Sequence, residues 1–255
     1  MPFQNPDCHL LIIGDEILSG KRQDRHFARM REIVAARGLK LGQVTYLGDD
    51  RARLTAFLRD SFASGGILFS CGGIGATPDD HTRQAAAAAL GVPLLLHPEA
   101  ERLITERTLE VNLPVTPGRL QMGEFPQGAA IIPNPVNRIP GFSIRHHHFV
   151  PGFPEMAWPM LEWVLDSHYR DLFHSQDETE RAMIVRGLAE ATLTPLMLEI
   201  ERDFPALKVF SLPILNLQQP DDYKIELGVK GPVAAIDTAF ARLREGAAAL
   251  GGRFE

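Results

Sequence analysis

FSCGGIGATPDDHTRQ, residues 69–84, runs from an apolar strand through three glycines into the start of a helix. Gly72, Gly73 and Gly75 let the backbone turn sharply and approach a guest with no Cβ in the way. A glycine loop between strand and helix is the layout of a phosphate cradle, with N–H groups and the positive helix end turned to an anion. Thr77-Pro78-Asp79-Asp80 reads as an N-cap, a proline at the first helical position and a capping-box acid. Acids in a first helical turn also complement the helix dipole with no ligand present. Two adjacent acids weaken that benefit by mutual repulsion, however, and a second pair, Asp15 and Glu16, follows directly on the first strand.

Outward from this loop, apolar runs alternate with helical periodicity. CHLLIIG (residues 8–14) reads as a buried parallel strand. Residues 25–37 place Phe27, Met30, Ile33 and Val34 on one helix face, with Gly38 as a stop. LGQVTYL and GGILFSC read as further strands, and RARLTAFLRDSF as a helix presenting Leu54, Phe57, Leu58 and Phe62. Such alternation predicts an α/β fold, a mostly parallel sheet with helices on both faces in three layers. Ligands of such sheets gather beyond the carboxyl ends of the strands, where both acid loops open. HPEAERLITERTLEVN reads as a helix, and FSIRHHHFV as one strand before an amphipathic helix carrying Trp158 and Trp163, read as core or subunit interface. Past residue 174 the pattern changes to a small β-α-β-β-α subdomain spanning 175–255. Its helix is expected to begin at Thr194-Pro195. Tyr223, Ile225, Leu227 and Val229 share a strand face, and a last helix from Pro232 buries Ile236, Phe240, Leu243 and Leu250.

With 255 residues, 45% of them hydrophobic and 23% charged, the chain is long enough to bury a core without disulfide or metal staples. A net charge of −6 argues against nucleic acid or an anionic membrane as partner. Cys8 and Cys71 have no metal-ligand spacing, and Cys71 reads as a buried thiol. The first residues show neither a basic leader nor a run long enough for a signal or membrane span, so a cytoplasmic protein is expected. Within RHHHFV, His146 and His148 would face one way along a strand and His147 the other, so at most two could chelate together. Lys21 and Arg22 are candidate phosphate contacts.

A polyanionic guest among four carboxylates requires a cation between them. Mg²⁺ or another divalent ion suits oxygen ligands and bridges carboxylate to phosphate. Glu16, Asp79 and Asp80 are the candidate ligands and catalytic acids, and Asp15 assists.

GDEILSGKRQD, GGIGATPDDHT and PGFPEM resemble the three signature segments of the MoaB/Mog-like molybdopterin-binding (molybdenum cofactor biosynthesis) fold. The resemblance runs over about residues 10–169 and is nearest to the N-terminal domain of CinA proteins and the corresponding domain of FAD synthase; the later subdomain is similar to the one that follows in CinA. It implies that Gly14, Asp15 and Glu16 form an acid motif, Gly72, Gly73, Gly75, Thr77, Asp79, Asp80 and Thr82 a phosphate loop, and Pro151, Gly152 and Pro154 a third loop. It implies a small-molecule guest, either a nucleotide or the pterin phosphate of molybdopterin, and a homo-oligomer. Three activities are compatible with it: metal-dependent cleavage of the diphosphate of ADP-ribose, FAD or a similar dinucleotide; binding without turnover; and adenylyl transfer to molybdopterin. Asp24-Arg25-His26 stands where CinA proteins commonly carry Asn-Thr-Asn, and Glu155 follows Pro154 as in FAD synthase-like sequences. Neither the CinA amidohydrolase nor the FAD synthase adenylyltransferase activity is expected of this chain.

Overall fold

The computed structural model describes residues 8–175, 178–214 and 224–255. The chain forms two compact units, Met1–His174 and Ser175–Glu255.

In the first unit the elements follow in the order β1 (Cys8–Ile13), α1 (Asp15–Leu18), α2 (His26–Ala35), β2 (Leu41–Leu47), α3 (Arg51–Ser64), β3 (Ile67–Cys71), α4 (Thr82–Leu90), β4 (Leu94–Leu96), α5 (Pro98–Glu110), α6 (Pro117–Leu120), β5 (Glu124–Pro126), β6 (Ala130–Ile132), β7 (Gly141–Ile144), β8 (His147–Val150) and α7 (Pro154–His168). Six strands make one sheet in the order β2-β1-β3-β8-β7-β6. The first four run parallel, β7 is antiparallel to β8, and β6 is antiparallel to β7 and so runs with the first four. Alternation along β1 feeds two cores. Cys8, Leu10 and Ile12 pack with Met30, Ile33 and Val34 of α2 and Met160, Leu161 and Val164 of α7. Leu11 and Ile13 pack with Leu54 and Leu58 of α3, Ala85 and Ala86 of α4 and Ala100 and Ile104 of α5. The near-continuous apolar runs of β1 and β3 are thus explained by helices on both faces, and the fold class expected from the alternation is the one observed.

Local chemistry sets the helix ends. The Asp50 carboxylate accepts the Arg53 N–H at 2.8 Å to open α3. Left-handed Gly65 and Gly91 close α3 and α4. Phe27, assigned by periodicity to the inner face of α2, is 42% exposed; His26 is buried instead. FSIRHHHFV is two strands rather than one. Arg145 and His146 adopt positive φ, 47° and 62°, and turn the chain back on itself between β7 and β8. Of the two tryptophans, Trp158 packs on the core under the Arg25 guanidinium, 5.2 Å from the ring centre, while Trp163 is 38% exposed.

The three consecutive histidines are structural. His148 Nε2 lies 2.7 Å and His146 Nδ1 3.1 Å from the Tyr169 hydroxyl, and His148 Nδ1 lies 2.7 Å from Ser143 Oγ. His147 Nε2 lies 2.8 Å from Ser61 Oγ, and its Nδ1 donates to the Arg145 carbonyl at 2.9 Å. Burial pulls the imidazoles from the ordinary 6.5 down to about 4 for His147 and about 3 for His148. Both are therefore neutral in the fold, while the unfolded chain takes up protons below pH 6.5. Their stabilisation is complete above that value and declines as pH falls towards 4, by about 1.4 kcal/mol per unit for each ring. Urea unfolding at pH 7 and pH 5 is expected to show a clear loss at the lower pH; a flat profile would contradict the buried neutral assignment.

The second unit comprises β9 (Glu178–Arg186), α8 (Glu190–Asp203), β10 (Lys208–Ile214), β11 (Lys224–Pro232), α9 (Val233–Ala249) and β12 (Arg253–Phe254), with an antiparallel sheet ordered β10-β11-β9-β12. Ile225, Leu227 and Val229 are buried against α8 and α9, as the alternation predicts; Tyr223 lies outside the described residues. α8 starts at Glu190 rather than at Thr194, so Pro195 sits inside the helix. Leu250, expected to be buried, is the C-cap of α9 and 44% exposed. The short strand β12 is an addition to the expected pattern.

Candidate functional site

Four parallel strands deliver four loops to the same sheet edge. A cavity of about 350 Å³ opens there, lined by Gly14 and Glu16 after β1, Asp49 after β2, residues 72–77 with Asp79 and Asp80 after β3, and Pro151, Gly152 and Phe153 after β8. Arg22 reaches it from the segment before α2. An adjoining cavity of about 360 Å³ shares Glu16, Arg22, Gly152 and Phe153 and adds Ile12, Ile17, Arg25, His26 and Cys71. The Cys71 thiol is fully buried, and burial pushes its pKa up, away from any nucleophilic role.

The helix after the glycine loop begins at Thr82, four residues later than the capping pattern places it. The capping-box contact nevertheless forms around a single turn. Asp80 Oδ2 accepts the Thr77 N–H at 2.9 Å and also the Thr77 hydroxyl, and the Asp80 N–H donates to the Thr77 carbonyl at 3.0 Å. Thr82 then closes the loop from within. Its N–H donates to the Gly73 carbonyl at 3.0 Å and its hydroxyl to the Gly72 carbonyl at 3.1 Å. Arg83 Nη2 donates to the Gly75 carbonyl at 2.7 Å. Three loop carbonyls are thereby drawn inward. In a trans peptide the C=O of one residue and the N–H of the next point opposite ways, and no peptide among the described residues is cis. The N–H groups of Gly73, Ile74 and Ala76 are consequently directed away from the helix. All three residues line the cavity, and none of the three N–H groups has a protein acceptor among the described residues. This arrangement is a nest of donors suited to phosphate oxygens.

The acids are sorted differently from the sequence expectation. Glu16, Asp79 and Asp80 line the cavity, as do Gly14, Gly72, Gly73, Gly75, Thr77, Pro151 and Gly152. Asp15 does not. Its N–H donates to Asp49 Oδ2 at 2.8 Å, and its Oδ1 accepts the Asp49 N–H at 3.3 Å, a reciprocal clasp between the loops after β1 and β2. Thr82 is fully buried and acts on the loop backbone rather than lining the cavity. Pro154 lines only the adjoining cavity, and Lys21 neither. Asp49 takes the place expected for Asp15. Burial raises its carboxyl pKa, and the negative charges of Asp15, Glu16 and Asp79 add to the shift. The only sequence signal was its position directly after a strand in LGDD. Asp79 is held below the ordinary carboxylate range by the Thr77 hydroxyl and its own backbone N–H.

Among the described residues no three His, Cys, Asp or Glu side chains are placed to enclose a metal ion by themselves. Asp80 already commits one oxygen to Thr77. The set that remains at the cavity, Glu16, Asp49 and Asp79, is oxygen-only and mutually repelling. It matches the mode in which Mg²⁺ binds through one or two carboxylates, with water and substrate phosphate completing the shell. Phe153, 55% exposed at the junction of the two cavities, and His26, whose ring lies 3.1 Å from the Gly152 carbonyl, are further site residues that the motifs did not indicate.

The model of the probable molybdopterin binding domain, MoCF_biosynth, matches residues 9–170. A protein from Pyrobaculum arsenaticum is 29% identical over 212 residues, covering 80% of this chain and 78% of its own. A CinA-like protein from Desulforapulum autotrophicum is 32% identical over 209 residues, covering 78% of this chain and 49% of its own; this chain thus spans about half of that relative. Among solved structures, the protein CinA with unknown function from Thermoplasma acidophilum aligns with a TM-score of 0.57 at 24% identity, over 63% of this chain and 97% of that one, a likeness of fold. No helix among the described residues is long and apolar enough to cross a membrane.

Proposed function

Because the chain belongs to the family of probable molybdopterin binding domains, we propose that its sheet-edge cavity holds a phosphorylated small molecule, and that it hydrolyses the diphosphate of a dinucleotide such as ADP-ribose or FAD with the help of a divalent cation. One observation carries this reading. Outward N–H groups of residues 73, 74 and 76 stand in the same cavity as carboxylates from three separate loops, Glu16, Asp49 and Asp79. Donors for an anion and a concentration of negative charge are compatible if Glu16, Asp49 and Asp79 hold a divalent cation, which would offset their charge beside the phosphate.

The cation, when bound, supplies neutralisation of phosphate charge and a more acidic water. The chain's own groups do the rest. The loop N–H groups orient the phosphate oxygens and stabilise the charge that develops on them. Glu16, at the junction of both cavities, accepts the proton of the attacking water. Asp79 and Asp49 hold the acidic side of the site, while Asp80 keeps the loop closed. The adjoining cavity, lined by Ile12, Ile13, Ile17 and Phe153 beside Arg25 and His26, is of a size that accommodates a planar ring.

That same adjoining cavity favours a second reading, in which the pterin phosphate of molybdopterin is bound without turnover, or adenylylated where ATP is supplied. A screen of ADP-ribose, FAD and NAD with Mg²⁺, Mn²⁺ or Co²⁺ separates the two. Turnover that disappears with chelator is the expected result. Tight binding of the pterin phosphate with no product from any dinucleotide would replace the first reading by the second.

A further inference from the structure

The largest fully buried side chain among the described residues is a cation. Arg83, on the first turn of α4, is 1% exposed. Its Nη2 donates to the Gly75 carbonyl at 2.7 Å and its Nη1 to the Gln121 carbonyl, while Nε is buried without a partner. No carboxylate among the described residues lies within ion-pair distance; Glu124 and Asp80 act on it only from further away. Burying an unpaired guanidinium is costly, and packing alone would favour an apolar residue of similar volume. The contacts it does make are with backbone, and one of them is with the glycine loop itself.

We propose that Arg83 is a positioning residue for the phosphate loop: gripping the Gly75 carbonyl from inside, it turns the Ala76 N–H towards the guest and places a fixed positive charge behind the site. This deepens the functional reading above and rests on it as regards the guest, which is of the pyrophosphate class. The planar fork is needed because two carbonyls, of Gly75 and Gln121, are held at once, a geometry a lysine ammonium does not reproduce. The charge matters because the cavity in front of the loop carries Asp79, Asp80 and Glu16. A positive centre in the low-dielectric interior offsets part of their repulsion of an anion.

The test compares wild type, Arg83→Gln and Arg83→Lys in the full chain. The first readout is amide hydrogen exchange in the ligand-free protein at Thr77, Asp80 and Thr82, whose N–H groups are bonded within the loop. The second is calorimetric affinity for inorganic pyrophosphate with Mg²⁺. Arg83→Gln is expected to speed exchange at these three positions about tenfold or more, with β1 and β3 unchanged, and to weaken pyrophosphate about tenfold or more. Arg83→Lys, retaining charge without the fork, is expected to recover part of the affinity but not the loop protection; should the glutamine variant not fold, the lysine variant carries the comparison with wild type. Exchange and affinity both within twofold of wild type would overturn the proposal. So would a uniform loss of protection across the sheet with pyrophosphate affinity preserved, which marks a purely structural anchor. If wild type itself binds no pyrophosphate, the functional reading falls, and exchange at the loop alone decides the role of Arg83.

Discussion

Gly72→Ala is expected to abolish pyrophosphate binding and to destabilise the α/β unit by about 3 kcal/mol. Gly72 has φ of 111°, a region that residues with a Cβ rarely adopt. A Cβ built there would lie 2.5 Å from the carbonyl oxygen of Ile13, which is backbone at the end of a central strand. Neither side has room to yield. The Gly72 N–H donates to the Val150 carbonyl at 3.0 Å and its own carbonyl accepts the Thr82 hydroxyl at 3.1 Å. Relief therefore requires breaking the contacts that aim the loop. Gly91→Ala is the control: it is left-handed too, at φ 67°, but nothing lies within 4 Å of its Cβ, and a loss of about 1 kcal/mol is expected. Urea unfolding and calorimetry on both variants measure the contrast. Equal losses would show that conformational preference, and not the clash with β1, sets the cost.

Glu16→Gln is expected to lower turnover of a dinucleotide diphosphate by about 10²–10³-fold with little change in KM. Glu16 lines both cavities and sits on the first turn of α1. Gly14 keeps its space open, because a Cβ there would stand 2.8 Å from Glu16 Oε2. The amide preserves size and removes the proton acceptor. Asp80→Asn is the comparison. Its amide oxygen still accepts the Thr77 N–H that Asp80 accepts at 2.9 Å, so a smaller loss is expected. A Glu16→Gln enzyme that keeps wild-type kcat while Asp80→Asn loses it would reverse the two assignments.

The contrast between these two acids shows where the amino-acid order suffices and where it does not. TPDD carries a capping signal, and its local contact forms: Asp80 reaches back to Thr77. The helix does not begin there, because Thr82 is drawn to the carbonyls of Gly72 and Gly73, ten and nine residues back. The single strand expected across RHHHFV failed for a related reason. Histidine tolerates positive φ, and the hairpin is fixed by the pairing of β7 with β8 and by Tyr169, twenty-one residues beyond His148. Phe27 and His26 exchanged places because helical periodicity ranks side chains by apolarity, whereas the start of α2 lies against the Gly152 loop, whose carbonyl accepts from an imidazole.

By itself the sequence determined the layers. Period-two and 3.6-residue patterns, with glycines at the ends of strands and helices, are local properties, and they specify a parallel sheet covered on both faces and the edge at which its loops open. Only the tertiary structure decided which acids line the cavity. Asp15 turns to clasp Asp49, Asp49 takes its place at the cavity, and Arg83 disappears beneath the loop. Those outcomes depend on contacts between segments 34 or more residues apart for the acids, and on burial for the arginine. No window of local sequence encodes the direction a side chain takes when its partner arrives from another strand.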